Sequence, residues 1–144
     1  MKQKILMLFT SLLFYNFIFA QNKMVLPDNA GIWILDKTVA NVDFYHMIKE
    51  CSGNTVVLLK FNNNSNFQVK VSWKDVFVTE QVSEKQEAFY GNKILVLSPG
   101  QVMSSDCGKL ENSVCMILPK NAILHYKADI RNFEFKDIIV TTMK

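Results

Sequence analysis

Between Phe67 and Lys74 the chain alternates without a break. Phe67, Val69, Val71 and Trp73 occupy one phase, and Gln68, Lys70, Ser72 and Lys74 the other. Successive side chains of a β-strand face opposite sides, so this stretch has one apolar and one solvated face. On a helix the same apolar residues would step by roughly 200° each and scatter around the circumference. The segment is therefore a half-buried strand, and its apolar face requires a second layer to cover it.

The remaining segments have the same texture. Gly31 to Leu35 is short and apolar, and Val42, Phe44, His46 and Ile48 share one phase of an alternating run. Thr55 to Phe61 is nearly continuously apolar, as in a central strand covered on both faces. Ser52-Gly53-Asn54 and Asn62 to Asn66 bracket it with turn chemistry. Parity shifts at Asp75, ahead of Val76-Phe77-Val78, which predicts a bulge there. Thr79 to Gln86 reads as a polar loop, Lys93 to Leu97 as a strand stopped by Ser98-Pro99-Gly100, and Gln101 to Cys107 as extended. Val114 to Leu118 reads as a strand ending at Pro119. Leu124, Tyr126, Ala128 and Ile130 alternate with His125, Lys127 and Asp129, and Phe133 to Val140 forms a terminal strand or strand pair.

No segment sustains a helical period and no repeat is visible. The pattern predicts an all-β protein, a two-layer antiparallel β-sandwich (Ig-like in the broad sense) of about seven to nine strands. Its core is expected to hold Val56, Leu58, Phe67, Val69, Val71, Trp73, Ile94, Val96 and Ile117. A small antiparallel barrel with a ligand cavity is the architectural alternative.

The ends of the chain speak to destination. Met1-Lys2-Gln3-Lys4 is a basic head, Ile5 to Phe19 is mostly apolar, and Ala20 offers a small residue for cleavage, the pattern of a secretory signal over residues 1–20. A membrane anchor needs ~20 continuous apolar residues, and this run turns polar at Gln21. Residues 21–30 read as an irregular lead-in and 31–144 as a single domain. Cleavage leaves 124 residues with 14 basic against 13 acidic side chains, and no block of like charge among them. That balance gives no support to nucleic acid as a partner, and no membrane span follows the signal. No cysteine closes the apolar run, which excludes a lipoprotein. Secretion or a periplasmic location is expected.

Three cysteines in an exported chain imply one bridge and one thiol outside it. Cys51 and Cys107 both sit at loop junctions, whereas Cys115 lies within an apolar strand where a small thiol fills space. Cys51–Cys107 is the preferred disulfide, with Cys107–Cys115 as the local alternative. The order Cys51, Trp73, Cys107 resembles that of the immunoglobulin fold, although the strand Thr55 to Phe61 intervenes and Ser105 stands at the tyrosine-corner position. Cys51, the segment Leu58-Leu59-Lys60-Phe61-Asn62-Asn63, Val71-Ser72-Trp73 and Pro99-Gly100 leading to Cys107 together resemble small secreted all-β proteins of Bacteroidota-type bacteria. The resemblance spans roughly residues 40 to 140. That group has no assigned activity, so the resemblance implies a fold and transfers no functional residue.

Motifs that would carry catalysis are missing. His46 and His125 fall on opposite strand phases, and neither is paired with an accessible cysteine. There is no C-x-x-C, H-x-x-x-H, D-x-D-x-D, G-x-S-x-G or glycine-rich phosphate loop. Glu80 and Asp129 are a conceivable glycosidase pair, and the loop Ser98 to Ser113 offers Asp106, Lys109 and Glu111. Asn63-Asn64-Ser65 matches a glycosylation sequon within a turn. No catalytic residue, cofactor or metal ligand is therefore expected. Aromatic rings remain as candidate contacts: Trp33, which its apolar neighbours place in the core, Tyr45, Phe89 and Tyr90. Tyr90, beside Gly91-Asn92 in an expected turn, is the ring most expected to be exposed for binding. The leading functional expectation is an exported non-enzymatic binding or accessory module for a protein or glycan of the cell envelope. A structural subunit of a surface assembly and a glycan or peptide hydrolase are the alternatives.

Overall fold

The computed structural model describes residues 31–108, 114–125 and 129–144. The expected signal and lead-in lie outside the described residues, as do Lys109, Glu111, Tyr126, Lys127 and Ala128.

Among the described residues eight strands build two antiparallel sheets: β1 (Ile34–Val39), β2 (Val42–Cys51), β3 (Asn54–Asn63), β4 (Val69–Thr79), β5 (Gln86–Leu97), β6 (Val102–Ser104), β7 (Met116–Ile117) and β8 (Ile130–Thr142). One sheet is five-stranded, ordered β1-β2-β3-β6 with β7 also on β3, and the other is three-stranded, ordered β5-β4-β8. The sheets pack as a sandwich around one main core.

Two tight hairpins join three strands of the five-stranded sheet. Ala40 and Asn41, at φ 47° and 60°, join β1 to β2, and Ser52-Gly53, at φ 50° and 75°, join β2 to β3. Positive φ at both central residues gives a turn whose twist matches the flanking strands. The second turn is visible in the sequence; the first lacks glycine and is not.

Between the sheets lies a web of rings. Phe61 and Trp73 lie 4.8 Å apart between centroids, Phe44 and Phe135 5.3 Å, and Phe77 and Phe133 5.5 Å. Of the expected core, Val56, Leu58, Val69, Val71, Trp73 and Ile117 are buried. Val56 and Leu58 belong to a second, smaller cluster on the outer face of the five-stranded sheet, with Met47, Cys51 and Met116. Trp33 packs at the edge of that cluster and not in the main core.

Three expected core residues are exposed instead. Phe67 precedes the first residue of β4, with its carbonyl held by the Asn63 amide at 2.9 Å, so the alternation runs one step past the strand. Ile94 and Val96 face out from β5, while Leu97 is buried and Leu95 packs against the core. The run Ile94-Leu95-Val96-Leu97 is apolar on both phases, so nothing local sets which phase points inward. Two expected strands also change. Leu124 and His125 lie in a turn, with the rest of that alternation up to Ala128 outside the described residues, and β5 begins at Gln86, seven residues earlier than Lys93.

The run of asparagines is partly structural. Asn63 is fully buried, donates to the carbonyls of Phe67 and Ser98 at 2.9 Å each, and accepts from the Ser65 backbone and hydroxyl. A side chain from β3 thus ties the larger sheet to the ends of β4 and β5.

Cys51 and Cys107 are joined, with Cα atoms 5.3 Å apart. Cys115 lies outside the bridge and is buried, and burial pushes its thiol up to about 11. The bridge pins the chain after β6 across the outer cluster and closes a loop spanning 56 residues of sequence separation. Restricting the unfolded chain over a loop of that size stabilises by about 3–4 kcal/mol. Replacing both Cys51 and Cys107 with serine is expected to lower the urea-unfolding free energy by that amount without changing the strand content seen by circular dichroism.

Candidate functional site

The parity shift expected at Asp75 is not seen in β4, whose phase runs on through Val71, Trp73, Asp75 and Phe77, all buried; the irregularity lies opposite, in β5, and is large. Lys74 pairs with Asn92 and Val76 with Glu87, so Ala88, Phe89, Tyr90 and Gly91 of β5 all stand opposite the single residue Asp75. Gly91, at φ 74°, takes the left-handed conformation that the excursion needs. On the other flank β8 shifts register opposite Trp73, with Asp137 at φ 51°. β4 is therefore bracketed by two irregularities, and between them the Asp75 side chain turns inward to 0% exposure.

A buried carboxylate is costly unless its lone pairs are met. Three side chains meet them here. The Trp73 indole Nε1–H donates to Oδ1 at 2.8 Å, the Lys93 ammonium sits 2.7 Å from Oδ2, and the Tyr90 hydroxyl donates to the same oxygen in a short hydrogen bond. Burial, reinforced by the Asp75 charge, pushes the Tyr90 phenol far above its ordinary range, so its proton stays in place as a donor. Lys93 also lies 5.1 Å from the Tyr90 ring centroid and donates to the Val114 carbonyl at 3.3 Å.

The consequence is a fixed surface. Tyr90 is anchored at its hydroxyl end, yet the residue is 38% exposed, and the neighbouring Phe89 is 62% exposed. The two rings meet edge to face at 5.7 Å. Phe89 is held in turn through its backbone N–H, which donates to the Ala122 carbonyl at 3.1 Å. Exposed Leu124 and Val114 belong to the same two flanking segments. Tyr90 is thus exposed as expected, but it stands on a strand bulge and not in a turn. Of the four rings singled out in the sequence, the structure brings Phe89 and Tyr90 together and sets Trp33 and Tyr45 apart, on the outer face of the five-stranded sheet.

A surface quartet stiffens the same region. Lys74 of β4 bridges Asp137 of β8 at 2.9 Å and Glu87 of β5 at 3.5 Å, and Lys136 closes on Glu87. The hydrogen bond from Lys136 holds Glu87 below the usual carboxylate range, and the hydrogen bond to Asp137 raises Lys74. Solvent screens these contacts, so they hold register more than they add stability.

The expected catalytic absences can be set against geometry. His46 is 3% exposed, its ring is 5.3 Å from Phe133, and neither nitrogen has a hydrogen-bond partner among the described residues. Burial lowers its pKa, opposed by the nearby Asp36 charge. The folded protein therefore holds this imidazole neutral, while the unfolded chain binds a proton near the ordinary pKa of about 6.5. Stability contributed by the neutral ring is complete above that value and falls as pH drops below it. The unfolding free energy is expected to decline by up to about 1.4 kcal/mol per pH unit below pH 6, and His46→Leu to remove that share of the slope, as read from urea midpoints at pH 5 and 7.

His125 is exposed, Asp106 is exposed and caps the Gly108 N–H, and Glu80 meets Asp129 through its backbone N–H and not as a carboxylate pair. Two carboxylates do converge elsewhere. Glu50 Oε1 and Asp129 Oδ1 lie 2.5 and 3.2 Å from the Thr55 hydroxyl, beside a cavity of about 120 Å³ lined by Asn54, Leu118, Pro119 and Lys120 among others. Among the described residues no group of three or more His, Cys, Asp or Glu side chains is placed to hold a metal ion, and no helix is long and apolar enough to cross a membrane.

Sequence reasoning singled out Phe89 and Tyr90 but missed Asp75, Lys93 and Trp73 as the groups that hold them. The available signal was an acidic residue, Asp75, on the inward phase between Trp73 and Phe77. Comparisons with protein-family models, curated proteins and solved structures return no match to this chain.

Proposed function

We propose that the protein is an exported, non-enzymatic binding module that engages a protein of the cell envelope through the Phe89–Tyr90 ring pair. The observation that carries this reading is an exposed aromatic pair locked from behind by a fully buried carboxylate. Aromatic rings supply large contact area at low entropic cost, and fixing them before contact removes part of the ordering penalty of binding. The Cys51–Cys107 disulfide supports an oxidising compartment, in keeping with export.

The edges of the sheets favour this reading over that of an assembly subunit. β1 shifts register between Leu35 and Lys37, β5 carries the four-residue excursion, and β8 shifts register near Asp137. Lys37 further covers β8 by donating to the Phe135 carbonyl at 2.7 Å. Bulges and inward lysines of this kind blunt strand-to-strand association. Size-exclusion chromatography at two concentrations tests this directly, with unchanged elution expected and a concentration-dependent shift arguing for the assembly role.

A hydrolase has one specific foothold, the convergence of Glu50 and Asp129 on Thr55. Turnover of a glycan or peptide by the purified protein, lost in Asp129→Asn with folding intact, would replace the binding reading.

A further inference from the structure

A second surface lies on the outer face of the five-stranded sheet. The Lys60 ammonium is 4.3 Å from the Tyr45 ring centroid and 4.7 Å from that of Trp33. Tyr45 and Lys60 are register partners, and the row continues to exposed Leu35 on one side and exposed Ser104 on the other. Packing against two rings holds the long lysine chain in place, so less freedom is lost when an anion arrives. Lys60 has no ion-pair partner among the described residues, and neither does exposed Lys49, which faces the same way farther along β2.

The next row is Thr38, Asp43, Asn62 and Val102. Its one acid is occupied: Asp43 accepts from the Thr38 hydroxyl at 2.7 Å and from the Asn64 amide at 2.8 Å. The face thus offers a positioned ammonium, aromatic surface, and hydroxyl and amide groups. Asp43 opposes a contiguous run of negative charge, which disfavours an acidic peptide and favours isolated carboxylates spaced by neutral hydroxylated rings.

We propose that this face binds an acidic sugar, with a uronate carboxylate on Lys60 and the sugar hydroxyls met by Ser104, Thr38, Asn62 and Asn64. The site is separate from the Phe89–Tyr90 pair, so the protein would join a protein partner to an acidic glycan.

Calorimetric or NMR titration of the mature protein with trigalacturonate, maltotriose and a short poly-glutamate peptide tests this. Trigalacturonate is expected to bind at least about tenfold more tightly than either comparator, the scale of a charge-assisted hydrogen bond, and to weaken with added salt. Lys60→Met is expected to abolish that preference and Lys60→Arg to retain most of it, while Ile94→Ser, on the outward face of β5, leaves it unchanged. Absence of trigalacturonate binding at millimolar concentration, equal affinity for maltotriose, or unaltered binding by Lys60→Met overturns the proposal. Preference for the peptide overturns it in favour of an acidic protein partner. None of these results bears on the ring pair, which is judged by its own variants.

Discussion

Trp73→Ala is expected to destabilise the protein by about 3–5 kcal/mol, the range for emptying a large aromatic site. Trp73 is fully buried and stands between the two sheets, with Phe61 at 4.8 Å and Phe135 at 6.2 Å. Its indole also donates to Asp75, so the substitution opens a cavity and removes one of the donors that compensate a buried charge. Urea unfolding monitored by circular dichroism reads the loss. Trp73→Phe should cost distinctly less, because most of the ring volume remains and only the hydrogen bond is lost. Unchanged melting of Trp73→Ala would show that this position is not the centre of the core.

Asp75→Ala is expected to have an effect of similar size, about 3–5 kcal/mol, for a different reason. Nothing large is removed, but Lys93, Tyr90 and Trp73 lose their common acceptor in a region closed to water. Unmet buried donors retain their desolvation cost without the return. Asp75→Asn keeps an acceptor for the indole and the phenol and should cost less than alanine. Because Asp75 anchors the β5 excursion, its loss is also expected to loosen Phe89 and Tyr90, seen as faster amide exchange at residues 88–91 and not in β2. Equal exchange in the variant would mean that the bulge is held by its backbone alone.

These two positions show how far the sequence was legible. Alternation from Val69 to Trp73 placed β4 and its inward face, because a period of two leaves no other solution. The loop positions of Cys51 and Cys107 identified the bridge, whereas Val76-Phe77-Val78 gave the wrong phase: β4 stays in step from Trp73 through Asp75 to Phe77, and the extra residues belong to β5. The phase of β5 was not legible. Ile94 to Leu97 is apolar on both faces, and a shift of one residue exchanges inside for outside. Ala40-Asn41 hid a hairpin because alanine gives no turn signal at positive φ. The roles of Lys93 and of the clasp of Lys60 over Tyr45 depend on contacts across strands, which no local pattern encodes.

The rigid ring pair is the centre of the functional reading, and quantitative capture of partners from the native envelope tests it most directly. Immobilised wild-type protein, Phe89→Ala and an outward-facing control, Ile139→Lys, are compared under identical conditions. Phe89 is largely exposed and makes no side-chain hydrogen bond, so its loss should leave the fold intact. A specific partner retained by wild type and by the control but reduced by at least about tenfold on Phe89→Ala, as for the removal of an aromatic hot spot, is the predicted result. Equal retention of every partner by all three proteins would contradict it.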